Sequence, residues 1–145
     1  MTAPALACQD VTVLRRAPDG SRRTVLDGLS ARFEPGRVAV IAGSNGSGKT
    51  TLVHLLAGIL RPDVGTVYAG DEPVSRHGAP HRDLFRMRVG LAMQSPRLIP
   101  GLTASENVAV PLVPRPASWP RASQHVSETL ASLSLAHLAD SPVHA

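Results

Sequence analysis

The chain has 145 residues, of which 43% are hydrophobic, and a formal net charge of +4. This composition describes one globular domain, and no stretch approaches the roughly eighteen consecutive apolar residues of a membrane-spanning helix. The arginines are scattered and only 3% of residues are aromatic, so we expect no nucleic-acid interface. No secretory signal is visible, and the lone Cys8, among apolar neighbours, predicts a core strand of a reduced protein.

The first part of the chain predicts strands joined by turns. The segment from Leu6 to Leu14 alternates loosely between apolar and polar residues and ends at an Ala-Pro-Asp-Gly turn. Alternation at 29–33 predicts a second, half-buried strand, and Pro35-Gly36 turns the chain into residues 38–42, Val-Ala-Val-Ile-Ala. Because this last run is apolar at every position, it predicts a strand covered on both faces, as in a parallel sheet.

Residues 43–51 read Gly-Ser-Asn-Gly-Ser-Gly-Lys-Thr-Thr and match the pattern G-x-x-x-x-G-K-[ST] at every fixed position. Glycines let successive N–H groups turn toward a phosphate, and the following helix adds its N-terminal dipole. Lys49, the only lysine beside fourteen arginines, supplies charge for the phosphates, and Thr50 supplies a hydroxyl for Mg²⁺. The predicted phosphate-binding P-loop comprises Gly43, Ser44, Asn45, Gly46, Ser47, Gly48, Lys49, Thr50 and Thr51.

The remaining elements follow from periodicity and from helix-ending residues. The P-loop helix is expected to run from Thr50 to near Gly58. The pattern then predicts a strand at 65–69, a loop at 71–81, a helix at 82–88 and a strand at 89–93 that ends at Gln94. Thr103 and Glu106 predict a capping box on a helix that stops at Pro111.

The C-terminal part predicts a proline-rich linker at 111–120 and a final amphipathic helix. The apolar face of that helix is expected to comprise Val126, Leu130, Leu133 and Leu138.

These residues together resemble the nucleotide-binding subunits of ATP-binding cassette (ABC) transporters. The resemblance rests on Val-Leu-Asp-Gly-Leu-Ser at 25–30, on the P-loop and on Leu-Leu-Ala-Gly at 55–58. Leu-Ile-Pro-Gly-Leu-Thr at 98–103 and Glu-Asn-Val-Ala-Val-Pro-Leu at 106–112 are similar to the subgroup paired with lipoprotein-export and macrolide-efflux-type permeases. The resemblance implies an incomplete α/β fold: a P-loop ATPase core over residues 1–97 and the start of the helical subdomain over residues 98–145.

The resemblance also implies an activity and its partners. Members of the family couple ATP binding and hydrolysis to transport, with Mg²⁺, a second ATPase subunit and a membrane permease. They are cytoplasmic and peripheral on the inner face of the cell membrane. Gln94 stands where the family places its Q-loop glutamine, and would reach Mg²⁺ and the attacking water. The resemblance thus gives Lys49 and Gln94 catalytic roles, and Thr50 and Gln94 roles at the metal.

The sequence departs from the family in two places. The family places an aromatic residue after the first strand to stack on adenine, whereas residues 14–17 read Leu-Arg-Arg-Ala. The chain also has no Gly-Gly pair, so the Leu-Ser-Gly-Gly-Gln signature is missing. Its only Asp-Glu pair, Asp71-Glu72, follows Tyr-Ala-Gly rather than an aliphatic run, and is expected to form a surface turn instead of the catalytic Walker B strand. We therefore expect that the isolated chain does not hydrolyse ATP.

Two alternatives stay open at this stage. One is a non-catalytic truncated cassette or gene fragment. The other is a different P-loop nucleotide-binding protein, although a guanine-binding Asn-Lys-x-Asp motif is not possible where the only lysine is Lys49.

In the resembling family the strands that flank the P-loop strand follow the signature motif. We therefore predict that residues 38–42 lack a partner on at least one edge, and that the chain alone is marginally folded or self-associating.

Overall fold

The structure is a computed structural model that describes residues 3–95, 98–112 and 119–143. The chain divides into two compact units, Met1–Leu91 and Ala92–Ala145. Each unit contains its own cluster of buried apolar side chains. The domain boundary that the sequence places at residue 97 stays a prediction.

A three-stranded antiparallel sheet organises the first unit. Its strands are β1 (Leu6–Arg16), β2 (Arg22–Phe33) and β3 (Val64–Ala69), in the order β2-β1-β3. The predicted strands at 6–14, 29–33 and 65–69 are confirmed, and β1 and β2 continue to the turn that joins them. Cys8 on β1 is buried, as predicted, and that burial raises the pKa of its thiol.

Asp19 closes the turn between β1 and β2. Its Oδ1 accepts a hydrogen bond from the Ser21 hydroxyl at 2.6 Å and another from the Ser21 amide at 2.9 Å. Because both donors favour the ionised carboxylate, with the hydroxyl as the larger cause, the pKa of Asp19 is held below its usual value. The turn is therefore fixed by a charged side chain.

Two predicted strands do not form. Residues 38–42 lie outside regular secondary structure, with Val38 96% and Val40 85% exposed, and residues 89–93 also form no strand. Within the described ranges, no strand pairs with either segment. A strand requires a neighbour to accept and donate its ladder hydrogen bonds, so an apolar sequence alone is not enough. The prediction that 38–42 is buried on both faces is wrong for this chain.

Helix α1 (Lys49–Leu56) packs its leucines against Val11 and Val13 of β1. Beyond its end, Gly58 has a φ of +71°; its amide donates to Leu55 O, and the Ile59 amide donates to His54 O. This pair of hydrogen bonds is the Schellman motif, which a left-handed glycine completes. The predicted end of the helix near Gly58 is confirmed.

Helix α2 (Ala79–Arg86) follows a short 3-10 turn at Val74–Arg76 and buries Phe85. The predicted helix at 82–88 exists but begins earlier, because Pro80 fits the first turn of a helix, where its missing N–H is not needed. Asp71 and Glu72 are exposed beside β3, as the sequence predicts for a surface turn.

The second unit contains α3 (Ala104–Ala109), a 3-10 turn at Val110–Leu112 and α4 (Trp119–Ser132). The predicted capping box is confirmed: Thr103 Oγ1 accepts from the Glu106 amide at 3.2 Å, and Glu106 Oε2 accepts from the Thr103 amide at 2.7 Å. Asn107 ties α3 to the preceding loop through the Ile99 amide, which donates to its Oδ1 at 2.7 Å.

Two predictions for the last segment need correction. Residues 113–118 of the predicted linker lie outside the described residues, and Pro120 is not linker because α4 already begins at Trp119. Val126 and Leu130 are buried with Ala109, but Leu133 is 63% and Leu138 40% exposed. Helix α4 ends at Ser132, so the later leucines leave its buried face. In the described parts of the chain, no helix is long and apolar enough to cross a bilayer.

Candidate functional site

The predicted P-loop forms the turn that leads into α1. Gly46 and Gly48 have φ values of +77° and +91°, a backbone conformation that residues with a Cβ rarely adopt. A Cβ at Gly48 would lie 2.8 Å from Leu26 Cδ2 and 3.0 Å from the carbonyl oxygen of Val25. Glycine is therefore needed at residue 48 both for its conformation and for the close approach of β2.

The N-terminus of α1 has no side-chain cap. The Leu52 amide donates to Gly48 O at 2.9 Å, which leaves the amides of residues 49–51 without a partner inside the helix. Exposed N–H groups at the positive end of a helix dipole bind anions. The start of α1 thus has the donors that a phosphate requires.

The side chain of Lys49 reaches back from α1 to the first residues of the loop. Its Nζ donates to Gly43 O at 2.9 Å and to Ser44 O at 2.7 Å. The Ser47 amide donates to Ser44 O at 3.3 Å, and a Cβ at Gly43 would lie 2.8 Å from Ser47 Oγ. The shape of the loop therefore depends on its own side chains and carbonyls.

A pocket of about 260 Å³ opens at this loop. It is lined by Val25, Gly46, Ser47, Gly48, Lys49, Thr50 and Thr51. Gly43 and Ser44 join the site through Lys49, whereas Asn45 is exposed and does not line the pocket. No sequence pattern indicates Val25, because its contact with the loop depends on how β2 passes the loop.

One residue of the pocket lining, Thr50, carries an oxygen of the kind that Mg²⁺ binds. In nucleotide sites Mg²⁺ is usually held by phosphate oxygens, waters and one or two protein oxygens, and Thr50 is among the residues that line this pocket. In the part of the chain that the structure describes, no group of three His, Cys, Asp or Glu side chains could hold a metal ion. The predicted role of Thr50 at the metal stays a prediction.

Gln94 lies in the second unit, outside helices and strands, with its side chain exposed. Its predicted roles toward Mg²⁺ and the attacking water stay predictions.

The chain is similar to known transport ATPases. A family model described as ABC transporter matches residues 26–145. The lipoprotein-releasing system ATP-binding protein LolD of Pseudomonas syringae pv. tomato is 39% identical over 78% of this chain and 50% of its own length. The ribose import ATP-binding protein RbsA 2 of Mesorhizobium japonicum is 36% identical over 76% of this chain and 22% of its own length. The chain thus spans at most about half the length of these two relatives.

Solved structures show the same fold. The ATP-binding cassette MJ0796, in a dimeric post-hydrolysis state bound to ADP and Pi, matches with a TM-score of 0.83 and 26% identity, over 93% of this chain and 60% of that chain. The protein cbiO1 from Clostridium perfringens, part of an ABC transporter complex, matches with a TM-score of 0.77 and 24% identity, over 97% of this chain and 54% of that chain. The predicted α/β fold of an ABC ATPase with a P-loop is confirmed. The chain belongs to the ABC transporter family as an ATP-binding subunit, and it is similar to the ATP-binding proteins of lipoprotein-releasing systems.

Proposed function

We propose that this chain binds ATP with Mg²⁺ at the P-loop, as part of a subunit that couples ATP binding and hydrolysis to transport through a membrane permease. One observation carries the proposal: Lys49 and the other residues at the uncapped N-terminus of α1 line one pocket of about 260 Å³. A triphosphate needs many donors close together, and this arrangement supplies them from residues 46–51.

Lys49 is the residue that joins loop and phosphate in this proposal. An ammonium group has three N–H donors, and two of them go to the carbonyls of Gly43 and Ser44. The third donor stays available for a phosphate oxygen. Lys49 therefore binds a phosphate without giving up the hydrogen bonds that shape the loop.

Thr50 would hold Mg²⁺ through its hydroxyl, and we assign a second contact to Gln94 by family resemblance. The ion neutralises charge on the phosphates when it is bound. The chain's own contribution is to present the Thr50 oxygen at the pocket, beside the amides of α1. Lys49 and Gln94 keep their catalytic roles within this proposal.

We infer that the chain by itself binds ATP without hydrolysing it. Among the described residues, those that line the pocket include no carboxylate that could act as general base or hold the ion from a second side. A second ATPase subunit would complete the site, a proposal supported by the dimeric structure of MJ0796. The permease partner, and with it a position at the inner face of the cell membrane, is proposed from membership of the ABC transporter family.

Isothermal titration of the purified chain with ATP and Mg²⁺ tests the binding site. Lys49→Ala should weaken binding roughly tenfold to a hundredfold, because it removes a charge-assisted hydrogen bond. Arg121→Ala, which removes an exposed cation of α4, is the matched control and should leave the affinity unchanged. Equal affinities of the Lys49→Ala variant and the unmodified chain would show that the P-loop assignment is wrong.

Steady-state phosphate release tests the inference that the isolated chain does not hydrolyse ATP. The unmodified chain should release phosphate no faster than the Lys49→Ala variant. Turnover clearly above that control would contradict the inference that the isolated chain is inactive.

A further inference from the structure

The tip of the β1–β2 hairpin, residues 15–23, extends past the rest of the sheet. The last pair that β1 forms with β3 joins Thr12 to Val64, whereas β1 and β2 stay paired as far as the turn between them. That turn closes on itself, because the Ala17 amide donates to Ser21 O at 2.8 Å. Within the described ranges, the tip is thus a two-stranded ribbon with no third strand beside it.

The tip carries four exposed arginines in two directly opposed pairs. Arg15 lies opposite Arg23, and Arg16 lies opposite Arg22. In the described parts of the chain, none of the four is in an ion pair. Like charges directly opposite each other on antiparallel strands are destabilising. The arrangement therefore works against the stability of the hairpin, as is typical of residues that serve a partner rather than the fold.

Asp19 is the only acidic residue of the tip, and it does not neutralise the arginines. Its carboxylate accepts hydrogen bonds from the hydroxyl and the amide of Ser21. Among the described residues, no ion pair joins Asp19 to a cation. The four guanidinium charges therefore stay free to meet an anionic partner.

The two arginine pairs lie on opposite faces of the ribbon. Successive side chains of a strand point to opposite faces, and cross-strand partners share a face. Arg15 and Arg23 thus share one face, and Arg16 and Arg22 share the other. A ligand of the size of one phosphate group would meet a single face. An extended anionic surface that touches the end of the ribbon would reach both pairs at once.

We propose that the hairpin tip binds directly to a membrane surface of anionic lipids, with its four arginines on the headgroup phosphates. The choice of a lipid surface rests on the proposed function, which places the chain beside a membrane. Anionic lipids attract basic residues near the surface, and a guanidinium group presents its N–H donors in a planar fork that matches phosphate oxygens.

The composition of the tip limits how it can bind. Residues 15–23 read Arg-Arg-Ala-Pro-Asp-Gly-Ser-Arg-Arg and include no aromatic or large apolar side chain. The tip therefore has nothing to insert among the acyl chains, and its contact stays at the headgroups and depends on salt. The same lack of aromatic side chains favours lipid over single-stranded RNA, whose bases stack on aromatic rings.

Flotation of the full chain with vesicles tests the proposal, because it separates lipid-bound chain from self-associated chain. The unmodified chain should bind vesicles of equal parts phosphatidylglycerol and phosphatidylcholine, but not vesicles of phosphatidylcholine alone. Raising the ionic strength from about 0.1 M to about 1 M should release it. The double variants Arg15→Gln, Arg23→Gln and Arg16→Gln, Arg22→Gln should each bind at least about tenfold more weakly.

Two controls show whether the loss belongs to the hairpin. Arg88→Gln, Arg121→Gln removes the same charge from exposed positions elsewhere and should change binding less than about twofold. Lys49→Ala should also keep vesicle binding. Urea midpoints show that the hairpin variants are folded, and these should not fall, because each variant removes an opposed pair of like charges. A lower midpoint would mean that the arginines serve folding and would overturn the proposal.

The remaining outcomes are equally decisive. Equal binding to neutral vesicles, no binding to anionic vesicles, or an equal loss in the Arg88 and Arg121 control would each overturn the proposal. Loss of vesicle binding in Lys49→Ala would overturn it too, since the P-loop would then hold the lipid phosphates. Tighter binding to duplex RNA that is lost with the same hairpin arginines would replace the lipid with a nucleic acid.

Titration with ATP keeps this proposal apart from the proposed function. If Lys49→Ala weakens ATP binding and the chain does not bind anionic vesicles, only the hairpin proposal fails. If Lys49→Ala leaves ATP binding unchanged, the proposed function fails, whatever the vesicles show.

Discussion

Strand β1 and residues 38–42 are both suited to a sheet core, yet only β1 is a strand of the sheet, and of the segment 38–42 only Ile41 packs against the core cluster. Val11 and Val13 of β1 are 0% and 1% exposed, whereas Val38 and Val40 are 96% and 85% exposed. The segment 38–42 is the more uniformly apolar of the two, but β1 pairs with β2 on one edge and β3 on the other. The comparison teaches that burial of a strand follows from its hydrogen-bonded neighbours more than from its own composition.

The P-loop directly follows the unpaired segment and nevertheless has a defined shape. It depends on contacts that do not involve 38–42: the close approach of Gly48 to β2 and the hydrogen bonds from Lys49 to Gly43 and Ser44. The phosphate site is therefore built from α1, β2 and the loop itself.

The largest effect expected from this comparison is that of a carboxylate placed on each segment. Val11→Asp puts an uncompensated charge in the apolar core, which should cost about 3 to 5 kcal/mol of unfolding free energy and prevent the first unit from folding stably. Val38→Asp at a 96% exposed position should change it by less than about 0.5 kcal/mol. Urea unfolding followed by circular dichroism measures both. If Val38→Asp lost as much unfolding free energy as Val11→Asp, residue 38 would be buried in solution.

A second substitution tests the β1–β3 edge. Gly65 has a φ of +84°, and a Cβ there would clash with the carbonyl oxygen of Asp10 on β1. Gly65→Ala should therefore reduce the unfolding free energy by roughly 1 to 3 kcal/mol. Gly90→Ala, where a Cβ would meet nothing within 4 Å, is the control. An unfolding midpoint unchanged by Gly65→Ala would mean that this close approach does not exist in solution.

A third experiment asks whether the unpaired segment attracts another chain. The double variant Val38→Lys, Val40→Lys should leave the unfolding free energy almost unchanged, because both side chains are exposed, but lower the self-association that we predict for this chain. Leu133→Lys, at a 63% exposed position of the second unit, should not lower it. Sedimentation at several protein concentrations gives the result. A monodisperse unmodified monomer that unfolds reversibly in one transition would contradict the prediction.

The smallest expected effect is the pH dependence of the stability that Asp19 gives the turn between β1 and β2. The folded-state pKa of Asp19 lies below its usual value. The ionised carboxylate therefore stabilises the folded chain above the unfolded-state pKa of about 4, and this stabilisation is lost as pH falls through the lower folded-state pKa. The stability difference between the unmodified chain and Asp19→Asn should therefore narrow below about pH 4. Urea midpoints from pH 6 to pH 2 measure it, and a constant difference would rule out this role for the carboxylate.

The elements that the sequence predicts correctly carry their signals within a few residues. The P-loop helix, its glycine end and the capping box of Thr103 are of this kind. The failed strand predictions depend on distant neighbours, because residues 38–42 and 89–93 find no partner strand in the described ranges. The failure at Leu133 is local, because α4 ends one residue before it.

The pairing register of β1 and β2 could not be predicted from the sequence either. Val13 pairs with Leu26 and Leu14 with Thr24, so β2 carries an extra residue, Val25, at an irregularity of the ladder. That irregularity sets which residues of β2 share a face with Val13. Alternation within β2 alone does not reveal it, since one inserted residue reverses the faces of those that follow.

Lys49 allows the P-loop to be labelled chemically at a single side chain. Because no other lysine exists in the sequence, a reagent that acylates amines can modify only one side chain, the one whose amine bridges Gly43 and Ser44, and peptide mapping separates this adduct from one at the α-amine. Acylation removes the positive charge and one or more of its donors, so a single covalent adduct would open the loop and discharge the pocket together. The extent of labelling therefore reads out the state of this one site without any engineered probe.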